Sequence, residues 1–415
     1  MAEHYFRHEY SRLVARLARQ VGIHHLDLIE DAVQSALVAA LESWRTNGMP
    51  DHPSAWLYRV ASNQLLGHLK QNSNHQRILT QYGNELIGEQ GINSDELATQ
   101  HINDDLLQML LVCCNEKIPI ESQLILALKI LCGFGINEIS QRLFCSEASV
   151  YKRYSRAKIY LRDANVDIFE LNDNTLEQRL PRIHKILYTL FTEGYLSVNS
   201  EFQIRLELCN ESIRLTIILA EHPHRQAPET FALLALMYLH SARMSGRQDS
   251  TGGLLLLEEQ DRTLWDQEKI HTGLNWLEKS ATGDNFSQYH AEAGIAAEHC
   301  LAPTFAQTRW DRIVQCYLLL EQQTSSAVHR LNRAVAMAEW KGPQAGLEIL
   351  NECRPPAWLS GSYLWCAVMA DLNMRCGNKG EAFTYREKAV QLAPTRAIKN
   401  LLERRFNKIS ELQND

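Results

Sequence analysis

The sequence lacks the features that define several large protein classes. No apolar run reaches the ~18 residues that a membrane span needs, and the N-terminal residues 1–7 have no apolar signal-peptide core. The ten cysteines include no C-x-x-C pair, so we expect buried reduced thiols rather than a disulfide framework or structural zinc. Gly (20) and Pro (11) are too few for a collagen-like or low-complexity chain. These absences predict a cytoplasmic protein with no cofactor, no metal and no membrane partner.

The composition is that of a folded protein with several domains. The 415 residues are 45% hydrophobic and 22% charged, which is sufficient for roughly two to four domains. A net charge of −7 argues on its own against a free-standing nucleic-acid binder, so any DNA-binding surface must be local. Strand-like alternation is scarce and apolar residues recur at helical spacing, which predicts an all-α fold.

Changes in polarity divide the chain into four segments. Residues 1–75 and 104–163 are strongly periodic, and residues 164–415 form a long helical array. Residues 76–103 between the first two periodic segments are polar and rich in Asn, Gln and Gly, which is typical of a linker. The boundaries predict two small helical domains followed by a larger one.

The first helix of interest covers residues 29–44. Its apolar residues recur at helical spacing and predict one buried stripe, formed by Ile29, Ala32, Val33, Ala36, Leu37, Ala40, Leu41 and Trp44. The opposite face carries Asp31, Gln34, Ser35, Val38 and Glu42. Taken alone, this second face is most simply explained as a solvated surface.

A second helix begins near Pro53 and carries an unusual outer face. Its inward stripe is formed by Leu57, Val60, Ala61, Leu65 and Leu69. The outer side presents Trp56, Arg59, Asn63, Gly67 and Lys70. Trp and Arg can stack on bases, Asn can bond a base edge and Lys can neutralise phosphate. The alternative is that Trp56 only packs on a neighbouring helix.

Residues 136–161 have the pattern of a helix-turn-helix. A short helix over 136–143 is followed by Ser146 as the expected N-cap of a second helix. That helix should bury Val150, Tyr154, Ala157 and Leu161, and its other face carries Ser149, Lys152, Arg153 and Arg156. Residues 146–162 hold five basic side chains and one acidic one. Two helices with a tight turn and a basic outer face are typical of DNA binding, and a solvated basic helix is the alternative.

Two pairs of motifs resemble the extracytoplasmic-function sigma factors of bacterial RNA polymerase. Residues 31–37 (DAVQSAL) and 55–63 (AWLYRVASN) resemble their region 2, and residues 138–140 (EIS) with 149–158 (SVYKRYSRAK) resemble their region 4. Three further segments resemble the subgroup that has a C-terminal helical-repeat extension: residues 187–195 (LYTLFTEGY), 260–266 (QDRTLWD) and 330–336 (RLNRAVA).

The resemblance implies a role for each of these faces. In the family, the helix with Asp31, Gln34, Ser35 and Val38 docks on the β′ clamp helices of core RNA polymerase, and the β flap is a further polymerase contact. The residue matching Asn63 reads an extruded base of the −10 element, with Trp56, Arg59 and Lys70 on the same face. Region 4 places Ser149, Lys152, Arg153 and Arg156 in the −35 major groove. The resemblance thus implies a non-enzymatic transcription-initiation factor that binds polymerase and promoter DNA.

The C-terminal segment has weak tetratricopeptide-like spacing. Ala382, Ala389 and Pro394 lie seven and five residues apart, and residues 377–380 and 341–343 are expected inter-helix turns. Such repeats stack into superhelical arrays whose concave surface usually binds a protein segment. We therefore expect residues 164–415 to be a regulatory helical domain with a possible protein partner.

The sigma-factor hypothesis has two alternatives. Residues 64–71 carry fewer Arg than is usual in region 2, which motivates the alternative of a repeat-type interaction scaffold with a degenerate sigma-like N-terminus. An enzyme in the helical array has no positive support, because His290 and His299 are nine residues apart and share no helix face in the manner of a metalloprotease.

Overall fold

The computed structural model describes residues 2–71, 105–143, 145–164, 173–195, 206–222, 227–249, 253–283, 285–324, 326–352 and 354–412. In these ranges the chain is helical and contains no strand, only a single isolated bridge between Gln248 and Leu254. The predicted all-α class is therefore confirmed. The predicted linker, residues 76–103, lies outside the described residues. None of the described helices is long and apolar enough to cross a membrane.

The chain divides into two compact units, Met1–Thr189 and Leu190–Asp415. The N-terminal unit contains α1 (Ala2–Val21), α2 (Leu26–Asn47), α3 (Pro53–Gln71), α4 (residues 105–113), α5 (Ile120–Leu126), α6 (Ile136–Arg142) and α7 (Glu147–Asp163). The division falls within the next helix, α8 (Asp173–Tyr195).

Helices α2 and α3 bury most of the two stripes that the sequence predicts. Ile29, Val33 and Leu57 are fully buried. Three other stripe residues, Leu37, Trp44 and Val60, are half-buried. Leu41, which we expected in the core, is 57% exposed. It lies seven residues after Gln34, so helical geometry puts it on the outer face with Gln34 rather than in the buried stripe. This part of the prediction was wrong.

Helices α5 to α7 pack around a second apolar core in the same unit. A turn of π-helix, Ala127–Leu131, extends α5, and the chain then passes through Gly133 before α6 begins. Gly133 has a φ of +68°, and a Cβ there would lie 2.9 Å from the carbonyl oxygen of Arg7. Glycine is needed at this position because the loop crosses the backbone of α1 so closely.

The C-terminal unit is a succession of helices connected mostly by short turns. After the end of α8 come α9 (Leu206–Ala220), α10 (Pro228–Ala242), α11 (Gln267–Ser280), α12 (Gln288–Leu301), α13 (Trp310–Thr324), α14 (Ala327–Lys341), α15 (Pro343–Asn351), α16 (Ala357–Ser360), α17 (Tyr363–Arg375), α18 (Lys379–Gln391) and α19 (Arg396–Leu412). Gly342 (φ +95°) and Gly377 (φ +84°) lie at the two predicted inter-helix turns. Ala382 and Ala389 are buried in the core formed by α14 to α19.

All nine described cysteines are free, as expected. Five are buried, but Cys145, Cys300, Cys316 and Cys376 are only partly buried.

Candidate polymerase and nucleic-acid interface

The outer face of α2 is the first candidate surface. Asp31, Gln34 and Val38 are exposed and Ser35 is half-buried, because the opposite face of the helix fills the core. Val38 is 54% exposed, and the neighbouring Leu41 adds a second apolar side chain that was not predicted here. The outer face of α2 thus combines two exposed apolar side chains, Val38 and Leu41, with a carboxylate and an amide.

The outer face of α3 presents most of the predicted −10 residues to solvent. Arg59, Asn63 and Lys70 are exposed, in line along one side of the helix. Trp56 differs, since it is half-buried and its ring packs edge-on against Trp44 of α2 with 5.6 Å between centroids. In this structure Trp56 therefore packs on a neighbouring helix, which is the alternative to a base-stacking role.

Helix α7 combines a buried stripe with a basic outer face. The predicted buried residues are those observed, namely Val150, Tyr154, Ala157 and Leu161. Ser146 is the N-cap, and its Oγ accepts a hydrogen bond from the Ser149 backbone N–H at 3.2 Å. Helix α6 ends only a few residues before it, so α6 and α7 are consecutive helices joined by a short connection.

The cations of α7 differ in what surrounds them. Lys152 and Arg156 are exposed and Arg153 is half-buried. Within the described ranges, none of these three pairs with a carboxylate. Lys158 instead points toward α2, where its Nζ contacts Asp27 and lies 3.2 Å from the Oε2 of Glu30. The outer face of α7 thus keeps three cations available for phosphate groups.

The buried carboxylate of Glu30 in α2 contacts side chains from both α1 and α7. It is 5% exposed, and it accepts a hydrogen bond of 2.7 Å from the Tyr10 hydroxyl. Lys158 donates to its other oxygen, and Lys129 lies at 4.0 Å. Burial, followed by the charge of Glu30, raises the pKa of both Tyr10 and Tyr154, so both remain protonated donors.

A second ion pair connects α1 with α6, between Arg7 and Glu138. The Nη2 of Arg7 lies 2.5 Å from the Oε1 of Glu138, and its guanidinium carbon is 4.8 Å from the centroid of the Phe134 ring. Glu138 also accepts the Gly135 backbone N–H at 2.7 Å, which caps the start of α6. In this structure α1 and α2 are therefore in direct contact with α6 and α7.

Sequence reasoning missed these connecting residues, although a signal for one of them was present. Glu30 lies three residues before Val33 and seven before Leu37, so it shares the inward side of α2. A carboxylate at such a position requires a buried partner. The identity of that partner depends on tertiary contacts that periodicity does not report.

His290, one of the two histidines considered as metal ligands, makes hydrogen bonds within the C-terminal unit. His290 receives a hydrogen bond from the Ser287 backbone N–H through its Nδ1, and its Nε2 lies 3.1 Å from the Ser280 carbonyl. Across the described residues, no group of three His, Cys, Asp or Glu side chains is placed to hold a metal ion.

Comparison with known proteins finds family matches for two segments of the chain. Residues 6–75, which contain α1 to α3, match the family described as Sigma-70 region 2. Residues 179–281 match a family of unknown function, DUF6596. An uncharacterized protein of Rhizobium meliloti (strain 1021) is 33% identical over 375 residues, which are 89% of this chain and 87% of that protein. No solved structure matches. The chain belongs to the same family as this Rhizobium protein, and it contains a segment similar to sigma-70 region 2 followed by a segment similar to the DUF6596 family.

Proposed function

We propose that the chain is a sigma factor of the extracytoplasmic-function subgroup, which directs bacterial RNA polymerase to promoters. The observation that carries the proposal is the helix-turn-helix at α6 and α7, found in a chain whose residues 6–75 match sigma-70 region 2. Its second helix presents Lys152, Arg153 and Arg156 opposite a fully packed stripe. Such a helix can enter a major groove.

Promoter recognition is assigned to two surfaces. On α7, Ser149 is near the N-terminus, where recognition helices contact base edges, and the three cations contact phosphates. On α3, Asn63 reads a base of the −10 element, with Arg59 and Lys70 on flanking phosphates and Trp56 bordering the site. The net charge of −7 is compatible with this role, because the polymerase contributes basic surface to the complex.

Polymerase binding is assigned to the outer face of α2. Asp31, Gln34, Ser35 and Val38 form the docking surface on the β′ clamp helices. The exposed Leu41 extends it by one turn and adds apolar contact area. Leu41→Glu is expected to weaken polymerase binding and to leave the folding stability within ~0.5 kcal/mol of wild type, because the side chain is exposed.

The C-terminal unit is assigned a regulatory role. Its helix pairs α14–α15 and α17–α18 are connected by tight turns and bury a continuous core. We interpret them as a tetratricopeptide-like extension that binds a protein partner and controls the activity of the N-terminal unit.

A run-off transcription experiment on fragmented genomic DNA tests the proposal. Full-length protein with core RNA polymerase is expected to yield transcripts whose upstream sequences share two motifs. Asn63→Ala should change the downstream motif, and Lys152→Ala should lower the yield at all sites alike. Transcription indistinguishable from core enzyme alone would instead favour the interaction-scaffold hypothesis.

A further inference from the structure

A cluster of buried nitrogen donors surrounds Trp265 in the C-terminal unit. Trp265 is 3% exposed. The guanidinium carbon of Arg243, just after α10, lies 5.3 Å from its ring centroid, and that of Arg262 lies 4.6 Å away. Arg243 itself is 8% exposed. Two arginines thus contact one indole ring. Arg243 is buried, and Arg262 is partly buried.

Several of these donors have no acceptor. The Nε of Arg243, the Nη2 of Arg262 and the Nε1 of Trp265 are all buried and, within the described ranges, unpaired. The Nδ1 atoms of His240 and His299 are also buried and unpaired in these ranges, but a neutral imidazole carries a proton on only one of its two nitrogens, so they are not counted as donors. Buried donors are almost always satisfied in native proteins, so the three unpaired nitrogens of Arg243, Arg262 and Trp265 indicate that something else accepts from them.

Part of the cluster is structural and accounts for only some of the donors. The Nη1 of Arg262 donates to the carbonyl oxygens of His299 at 2.7 Å and Ala302 at 2.5 Å. These contacts satisfy the carbonyls at the end of α12. They leave Nη2 unused and provide no negative charge.

The cluster also has no counterion among the described residues. The two nearest acidic residues in sequence are occupied elsewhere, since Asp261 accepts from Thr263 and Asp266 caps α11 through the Lys269 N–H. Burial, followed by the charges of Arg243 and Arg262, lowers the pKa of His299 to about 3, so its ring is neutral. A buried guanidinium group such as that of Arg243 is strongly unfavourable with no anion nearby.

Gly246 packs closely against the pyrrole edge of the Trp265 ring. A Cβ at Gly246 would lie 2.8 Å from the Nε1 and 2.9 Å from the Cδ1 of Trp265, closer than real Cβ atoms approach other heavy atoms. A larger residue at this position would therefore displace the indole ring.

We propose that Arg243, Arg262 and Trp265 bind a small oxyanion, the phosphate or carboxylate group of a small-molecule ligand. Guanidinium groups match the geometry of both oxyanions, and the indole N–H adds a third donor. Two of the three residues belong to the QDRTLWD motif at 260–266, and all three lie in the DUF6596 segment. The site would give the C-terminal unit a ligand, and it does not depend on the sigma-factor proposal.

The test follows the eight tryptophan indole N–H resonances of the full-length, ¹⁵N-labelled protein. Trp265→Phe identifies the resonance of Trp265. Inorganic phosphate and acetate are titrated separately, with sodium chloride matching the ionic strength. We expect the Trp265 resonance to move saturably with at least one of the two anions, which also distinguishes phosphate from carboxylate chemistry.

Two arginine variants control for non-specific charge effects. Arg243→Met removes the buried cation and should weaken anion binding by about tenfold or more. Arg309→Met removes an exposed arginine that is paired with Asp311, and should leave binding unchanged. If the wild-type Trp265 resonance responds to neither anion, or responds equally in Arg243→Met, the donors are hydrated and the proposal is wrong. The wild-type titration alone decides this even where a variant is unstable.

Discussion

The ion pair between Lys158 and Glu30 should hold α7 against α2. The Lys158 side chain is 19% exposed and that of Glu30 is 7% exposed, with 3.2 Å between Nζ and Oε2. Burial alone would lower the pKa of Lys158, but the hydrogen bond to Asp27 and the charge of Glu30 raise it overall. Lys158→Met keeps most of the apolar stem and removes only the charge.

The expected loss is about 2 kcal/mol. Two unit charges at this separation attract by ~5 kcal/mol at an effective dielectric constant of about 20, and desolvation offsets much of that. Breaking a buried pair generally costs about 3–5 kcal/mol. The value here should be smaller, because the Lys158 side chain keeps some exposure to solvent and Glu30 keeps the Tyr10 hydroxyl as a partner.

Amide hydrogen exchange of the full-length protein measures this local stability. A loss of ~2 kcal/mol should speed exchange about thirtyfold in peptides from residues 147–163 and 26–47. Lys152→Met, on the exposed side of the same helix, is the matched control and should change exchange little. Adding Glu30→Gln to Lys158→Met should recover part of the loss. Equal exchange in Lys158→Met and Lys152→Met would refute the reasoning.

Three further predictions concern DNA binding, acid stability and backbone geometry. Lys152→Ala and Arg156→Ala should each reduce the salt slope of promoter binding by the polymerase complex by about one unit, and an unchanged slope would show that the residue contacts no phosphate. Burial lowers the pKa of His184 to about 4, below the 6.5 of the unfolded chain, so its contribution is complete above pH 6.5 and declines as the pH falls. Between pH 7 and pH 5 the wild-type protein should therefore lose about 2 kcal/mol more stability than His184→Gln in urea unfolding. Gly133→Ala should destabilise the fold by about 1–3 kcal/mol in the same assay, because of its positive φ and the contact with the Arg7 backbone.

Helical periodicity was sufficient to predict which residues of α7 are buried and where the helix begins. The buried residues of α7 and the N-cap Ser146 were predicted correctly, because a 3.6-residue period and a capping residue are local properties. The same holds for the turn at Gly342, where a glycine precedes a proline.

What the sequence did not predict depends on tertiary contacts. Leu41 is different, because its spacing of seven residues from the outward-facing Gln34 was a local signal against placing it in the core. The contacts of Lys158 and Arg7 with Glu30 and Glu138 join residues more than 120 positions apart. Trp56 looked like a stacking surface, and its packing on Trp44 is visible only once α2 and α3 are placed together.

Binding to core RNA polymerase tests the central claim most directly. The full-length protein is mixed with purified bacterial core enzyme and analysed by size-exclusion chromatography, beside Asn63→Ala and the double variant Asp31→Arg, Gln34→Ala. We predict that wild type and Asn63→Ala co-elute with the core enzyme, while the double variant, with α2 still folded, elutes alone. Failure of the folded wild-type protein to co-elute, or equal binding by all three proteins, would contradict the account.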